Sequence, residues 1–193
     1  MPYPAIIEKE KGGGEKAYDV YSRLLKDRII FIQGVVEENM ANHIVGQLLL
    51  LESQSSAPIN IYVNSPGGSV TQGMAIYDTL QYIRSPITTI VIGQAASMGS
   101  LLAQAGDKRY ITPNSRHMIH QPLGGASGQA TDVEIHAKEL LRWKEVLTNI
   151  YVKHNTKGKT YEELAKDMER DNYMTADQAV EYGLADEIVT PRG

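Results

Sequence analysis

Ile87-Thr88-Thr89-Ile90-Val91-Ile92-Gly93-Gln94-Ala95-Ala96-Ser97-Met98-Gly99-Ser100-Leu101-Leu102-Ala103 reads as a strand, a tight turn and a helix in immediate succession. Ile87 to Ile92 is an apolar run of strand length, and Leu101-Leu102-Ala103 begins a buried helix. Between them Ala95, Ala96, Ser97 and Gly99 are all small. A serine on such a turn has an exposed hydroxyl, and the N–H groups that follow it leave the helix start unpaired. That geometry suits a nucleophile beside an oxyanion hole. The pattern is A-x-S-x-G rather than G-x-S-x-G, and a plain Ser N-cap would use the same residues.

Working outward, apolar clusters alternate with helical periodicity. Ile29-Ile30-Phe31-Ile32 reads as a strand, and Met40, Ile44, Leu48 and Leu51 recur at helical spacing. Ile59 to Val63 is a second strand, and Val70 to Ile83 is a helix. After Ser97 come a helix and two short strands, Tyr110-Ile111-Thr112 and Met118-Ile119-His120. Strand–helix alternation of this kind predicts an α/β fold with a parallel sheet and crossover helices. The pattern then changes. A glycine-rich loop, Pro122 to Gly128, precedes a helix of about 25 residues from Thr131 to His154, about 37 Å long. A helix that overshoots its domain commonly packs on another subunit, though one lying over its own sheet would read the same way. Two capping boxes follow, Thr160-x-x-Glu163 and Thr175-x-x-Gln178, with Gly183 as a C-cap and Ala185 to Val189 as a last strand. Residues 1–16 hold Lys11-Gly12-Gly13-Gly14-Glu15, which reads as a flexible, charged terminus, ordered only if something holds it.

Composition excludes several classes of function. The 193 residues suit one domain that buries roughly 70% of its chain surface. The net charge of −4, with no basic stripe among aromatics, argues against a nucleic-acid partner. There is no cysteine, so disulfides, thiolate metal sites and thiol nucleophiles are out. The five histidines are scattered and no H-E-x-x-H or D-x-D-x-D-G pattern occurs, so no metal site is expected. No apolar run approaches the ~20 residues of a membrane span, and no long apolar region follows Met1-Pro2-Tyr3-Pro4 as in a signal peptide.

A catalytic serine needs a base and a group that orients it. His43, His136 and His154 fall in predicted helices. His117 and His120 lie three apart on one strand and point opposite ways, so at most one faces the crevice at the strand ends. His120, at the strand's end, is the better candidate. The acid is not selected by the residues alone. Asp107, Asp132, Asp167, Asp171, Asp177 and Asp186 all qualify, and Asp171 sits at what reads as a junction between two helices. Asn64-Ser65-Pro66-Gly67-Gly68-Ser69 follows a strand and opens a helix. It matches neither phosphate-binding glycine motif. Gly68 there is a candidate second oxyanion donor beside the N–H of Met98.

Together, Gly93 to Gly99, Met118-Ile119-His120-Gln121-Pro122, Asn64 to Gly68 and Glu169-Arg170-Asp171 resemble the ClpP family, the proteolytic subunits of the ATP-dependent Clp protease. Tyr18 to Leu25 and Gly128 to Asp132 resemble further family segments, and the likeness runs from about residue 17 to residue 189. The resemblance implies a ClpP/crotonase-type spiral of ββα units. In it, residues 1–16 form an axial segment and 17–193 one peptidase domain. A handle helix at about 131–155 would interlock two stacked seven-membered rings.

The resemblance also implies roles. Ser97 would be the nucleophile, His120 the general base and Asp171 the residue orienting it. Gly68 and Met98 would supply the oxyanion hole, and Gly124 and Gly125 would lie along the substrate. Gln129, Asp132 and Arg170 would join a ring–ring contact network. Tyr62, Tyr82, Ile90, Ile92 and Tyr110 would receive loops of an AAA+ unfoldase such as ClpX or ClpA, with Asn60 where an aromatic is common. Substrates would be unfolded polypeptides. No cofactor is implied for this chain, because ATP would be hydrolysed by the unfoldase and no P-loop is present. The implied location is the cytoplasm of a bacterial-type cell, or an organellar matrix where a leader has been removed. Two other readings stay open: a non-catalytic ring subunit, and a crotonase-like acyl-CoA enzyme with an oxyanion hole but no triad.

Overall fold

The computed structural model describes residues 5–9 and 12–189. Two short strands, β1 (Ile6–Lys9) and β2 (Glu15–Tyr18), form an antiparallel hairpin. Helix α1 (Val20–Lys26) follows, its first turn capped by the Asp19 carboxylate, which accepts from the N–H groups of Tyr21 and Ser22. The alternating body comprises β3 (Ile29–Val36), α2 (Glu38–Gln54), β4 (Ile59–Gly68), α3 (Val70–Tyr82), β5 (Ile87–Ala96) and α4 (Met98–Ala103). Then come β6 (Lys108–Ile111), β7 (Arg116–Ile119), the long α5 (Ala130–His154), α6 (Tyr161–Asp167), β8 (Asn172–Thr175), α7 (Ala176–Tyr182) and β9 (Glu187–Ile188).

Strands β3, β4, β5, β6 and β9 lie side by side in that order, all parallel. β5 changes partner along its length. Thr88–Val91 pair with β6, whereas Gln94–Ala96 pair with β7, also in parallel. The change falls at Gly93, whose φ of +77° only glycine adopts without strain. β8 then adds to β7 in the antiparallel sense. The expected α/β class holds, with this antiparallel edge as an addition.

The core lies between the sheet and helices α2, α3 and α4. Ile30, Ile32, Ile59, Ile61, Val63, Val91, Leu48, Ile76, Leu101 and Leu102 are all essentially excluded from solvent. Each large aliphatic side chain of this set contributes about 1.5–3 kcal/mol by leaving water. Ile87 to Ile92, read as an apolar strand, buries only Ile87, Thr89 and Val91. Thr88, Ile90 and Ile92 stay half-exposed on the other face.

Three further differences from the sequence reading have local causes. Part of the terminus expected to be flexible is the β1–β2 hairpin, which runs across the expected boundary at residue 16. It is held by Glu8, which pairs with Arg23 and Lys26 of α1; residues 1–4, 10 and 11 of that segment lie outside the described ones. Asp171 does not join two helices, because β8 intervenes between α6 and α7. The last strand is shorter than expected, Glu187–Ile188. Both capping boxes form, and Gly183 closes α7 in the left-handed conformation at φ +92°.

α5 has 25 residues, and its buried side chains are Leu147, Thr148, Ile150 and Tyr151 only, all in its second half. Among the described residues no helix is long and apolar enough to cross a membrane.

Candidate active site

The chain reaches Ser97 at the end of β5 and turns sharply. Ser97 has φ 53° and ψ −124°, a region costly for any residue with a Cβ, by about 1–3 kcal/mol. The turn is held on all sides. The Ser97 N–H donates to the Met118 carbonyl of β7 at 2.9 Å, and its carbonyl accepts from the Leu101 N–H at 3.1 Å. The end of β4 closes on it: a Cβ on Gly67 would stand 2.6 Å from Ser97 Cβ, and one on Gly99 would stand 2.8 Å from the Ser65 carbonyl oxygen. Small residues are therefore needed on both sides of the turn. Ser97 is the N-cap residue of α4, yet its side chain caps nothing.

Instead the hydroxyl donates to His120 Nε2 at 2.8 Å, and His120 Nδ1 lies 2.9 Å from Asp171 Oδ1. A carboxylate only accepts, so it holds the proton on Nδ1 and leaves Nε2 as the acceptor for the serine. The placement of Asp171 follows from strand register. β7 and β8 pair with Ile119 opposite Asn172, so the next positions along, His120 and Asp171, face each other. The Gln121 N–H donates to the Met168 carbonyl at 2.7 Å and its side-chain amide to the Glu169 carbonyl, which fastens this end of the pair. The His120 side chain is largely covered and that of Asp171 is half open to solvent.

Beside Ser97 lies a pocket of about 280 Å³, lined by Pro66, Gly68, Val70, Met98, Leu101, Met118, Leu147, Tyr151 and Met168 and bordered by His120, Pro122 and Leu123. Gly68 and Met98 thus share the pocket with the serine. Met98 is the first residue of α4, so its N–H has no acceptor within the helix. Chemically, the arrangement can remove the serine proton, keep the imidazolium oriented, and offer N–H groups to charge that develops next to the hydroxyl.

Other residues singled out in the sequence fall elsewhere. Gly124 and Gly125 do not line the serine pocket. They face α5 across an apolar groove of about 340 Å³ with Val133, Leu140 and Trp143. Gln129 precedes α5, Asp132 lies exposed in its first turn, and Arg170 is exposed in the turn before β8. Among the described residues no hydrogen bond within the chain joins these three. Tyr62, Ile90 and Tyr110 stand in register across β4, β5 and β6, with Phe31 stacked on Tyr62 at 5.5 Å. Ile92 lies two residues along the same face. Tyr82 is apart from them at the end of α3, 81% exposed. Of the other histidines, His117 and His154 matter structurally. His154 Nε2 meets the Tyr77 hydroxyl at 2.8 Å, and burial, then Lys153 and Arg109, lower its pKa to about 4.

The sequence reading missed the bond from His117 to Ser100 and the approach of Tyr151 to Ser97. The signal available was Ser100 three residues after Ser97 and His117 three before His120, a spacing mirrored on the two segments. Residues 12–192 match the family described as Clp protease.

Proposed function

The chain belongs to the Clp protease family, and on that premise we propose that it is a serine endopeptidase that cleaves unfolded polypeptides through an acyl-enzyme. The observation that carries this reading is the continuous hydrogen-bonded set Ser97 Oγ, His120 Nε2, His120 Nδ1 and Asp171 Oδ1, at 2.8 and 2.9 Å. His120 takes the Ser97 proton as Oγ attacks the peptide carbonyl carbon. The N–H groups of Met98 and Gly68 receive the oxyanion, each such donor being worth ~3–4 kcal/mol. As the tetrahedral species collapses, the C–N bond breaks and His120 returns the proton to the leaving amine. Water, deprotonated by the same imidazole, then hydrolyses the ester and restores Ser97. The apolar lining of the serine pocket favours an apolar side chain on the acyl side of the scissile bond.

The family match implies a protease subunit that works with Clp ATPases. In our reading the chain assembles as two stacked seven-membered rings with α5 as the handle between them, and Gln129, Asp132 and Arg170 lie at that contact. The half-exposed row Tyr62, Ile90, Ile92 and Tyr110, with Tyr82 nearby in the ring, receives an AAA+ unfoldase such as ClpX or ClpA.

The direct test is a fluorophosphonate probe on the purified assembled chain, with the labelled residue mapped by mass spectrometry and Ser97→Ala as control. Label on Ser97, together with loss of peptide hydrolysis in Ser97→Ala, supports the reading. Hydrolysis that survives in Ser97→Ala overturns it.

A further inference from the structure

Helix α3 carries a buried glycine, Gly73, at a position where the backbone does not call for one. Its φ is negative, and its N–H donates to the Ser69 carbonyl at 2.9 Å as any helical residue's would. Inside a helix glycine is less stable than alanine, so something else must favour it. The reason is space. A Cβ on Gly73 would overlap the Met98 Cε and stand 3.4 Å from Met98 Cγ and Sδ. The end of the Met98 side chain thus occupies the room that a side chain at position 73 would fill.

Met98 is also a wall of the serine pocket. So is Val70, which lies one turn before Gly73 on the same face of α3. Met98 therefore meets α3 on one side and borders the pocket on another. It is buried, as are Leu101, Leu147 and Tyr151 of the same lining. Protein interiors leave few voids, so the pocket of about 280 Å³ is the free volume open to a displaced Met98 methyl. Methionine, unbranched and with three rotatable bonds, takes whichever room its neighbours leave.

We propose that Gly73 sets how large a side chain the serine pocket takes, by letting Met98 lie back against α3, an inference that rests on the serine-peptidase reading. With the methyl withdrawn, the pocket accepts a large apolar side chain on the acyl side of the scissile bond: leucine, methionine or phenylalanine. With position 73 filled, the methyl turns into the pocket and only a small side chain fits. Gly73 is a positioning residue that acts through the Met98 side chain and touches no reacting atom. The Met98 N–H is fixed by the backbone turn at Ser97, so what changes is the choice of substrate and not the chemistry. If Gly73 only packed α3 against α4, filling it would slow every substrate alike.

The test uses the assembled full-length enzyme and fluorogenic peptides that differ only in the acyl-side residue, alanine, leucine, phenylalanine or tryptophan. Competent serines are counted by fluorophosphonate titration. In Gly73→Ala we expect the ratio of kcat/KM for the phenylalanyl over the alanyl peptide to fall about 10- to 100-fold. The alanyl peptide itself, per labelled serine, should stay within about threefold of wild type. Adding Met98→Ala to Gly73→Ala removes the methyl that the new Cβ meets and should restore most of the ratio, the non-additivity expected of residues in contact. Met98→Ala alone deepens the pocket and should raise the tryptophanyl-to-leucyl ratio about fivefold, which decides the matter should Gly73→Ala not assemble. An unchanged phenylalanyl-to-alanyl ratio in Gly73→Ala, an equal loss for every peptide, a ratio that Met98→Ala does not restore, or an unchanged tryptophanyl-to-leucyl ratio in Met98→Ala overturns the inference. Peptide hydrolysis that persists in Ser97→Ala sinks the underlying peptidase reading instead, and does so whatever Gly73→Ala shows.

Discussion

Ser97 presents its hydroxyl to His120 because its backbone is held out of the helical region, and a capping role would have turned the side chain back on α4 instead. The orienting carboxylate matters through the proton it localises. Asp171→Asn offers an N–H in place of one acceptor and favours the wrong imidazole tautomer, so we expect kcat for a short peptide to fall about 10³-fold with assembly unchanged. A kcat within a factor of three of wild type would remove Asp171 from that role. Stability has its own histidine signature. His117 and His154 carry pKa values lowered to about 3 and about 4, against an ordinary value of 6.5. The unfolded chain therefore binds protons that the folded chain refuses. Their contribution is complete above about pH 6.5 and is lost as pH falls toward those lowered values. Each adds about 1.4 kcal/mol per pH unit to the slope inside that window. In urea melts between pH 6 and 4.5, His117→Asn should show a slope shallower than wild type by about that amount. Parallel slopes would contradict the buried, neutral state of His117.

The elements were legible in the sequence where periodicity and length were strong, and not where pairing alone creates them. The strand–turn–helix around Ser97 and the two capping boxes follow from local chemistry. β8 does not, because Asn172–Thr175 has no apolar alternation and becomes a strand only by pairing with β7. Asp171 could therefore be recognised through family resemblance but not by reasoning from the residues, since what selects it is the register between two segments some fifty positions apart in the chain. α1 escaped for a related reason: it is seven residues long and buries none of them. The glycines at the element ends carry a testable contrast. Gly67 has φ +93° and no space for a Cβ beside Ser97. Gly67→Ala should lower stability by about 1–3 kcal/mol and kcat by about 100-fold through displacement of the serine. Gly46, inside α2 with nothing within 4 Å of an added Cβ, should behave oppositely. Gly46→Ala should raise stability by about 0.5–1 kcal/mol. Equal effects at the two sites, read by thermal melts and peptide turnover, would show that the crowding at Gly67 is relieved without disturbing the turn.

At the scale of the whole molecule, α5 is the feature that one chain does not explain. From Ala130 through Val146 it buries no side chain, and Ile135 and Leu141 stand 59% and 64% exposed. Ion pairs within that stretch, Glu134 with Lys138 and Glu139 with Arg142, are solvent-exposed surface pairs and contribute little to its order. A helical segment of this length is marginal in water without a packed face. Its order and its exposed apolar side chains are both accounted for if a second copy covers it, as the double-ring reading requires. Replacing Ile135 and Leu141 together by Glu should therefore act on assembly rather than on the fold. The core of the chain takes in only the second half of α5 and includes neither of these two residues. Sedimentation should then move from the double ring to a particle of half its mass, while the far-ultraviolet spectrum loses at most the signal of the projecting half of α5. Charge reversal at Asp132 should push the same equilibrium in the same direction more weakly, since it removes a polar contact and leaves the apolar face. A doubly substituted chain that sediments as wild type would mean that the projecting half of α5 is not the surface on which the rings meet, and the exposed stripe would need a different occupant.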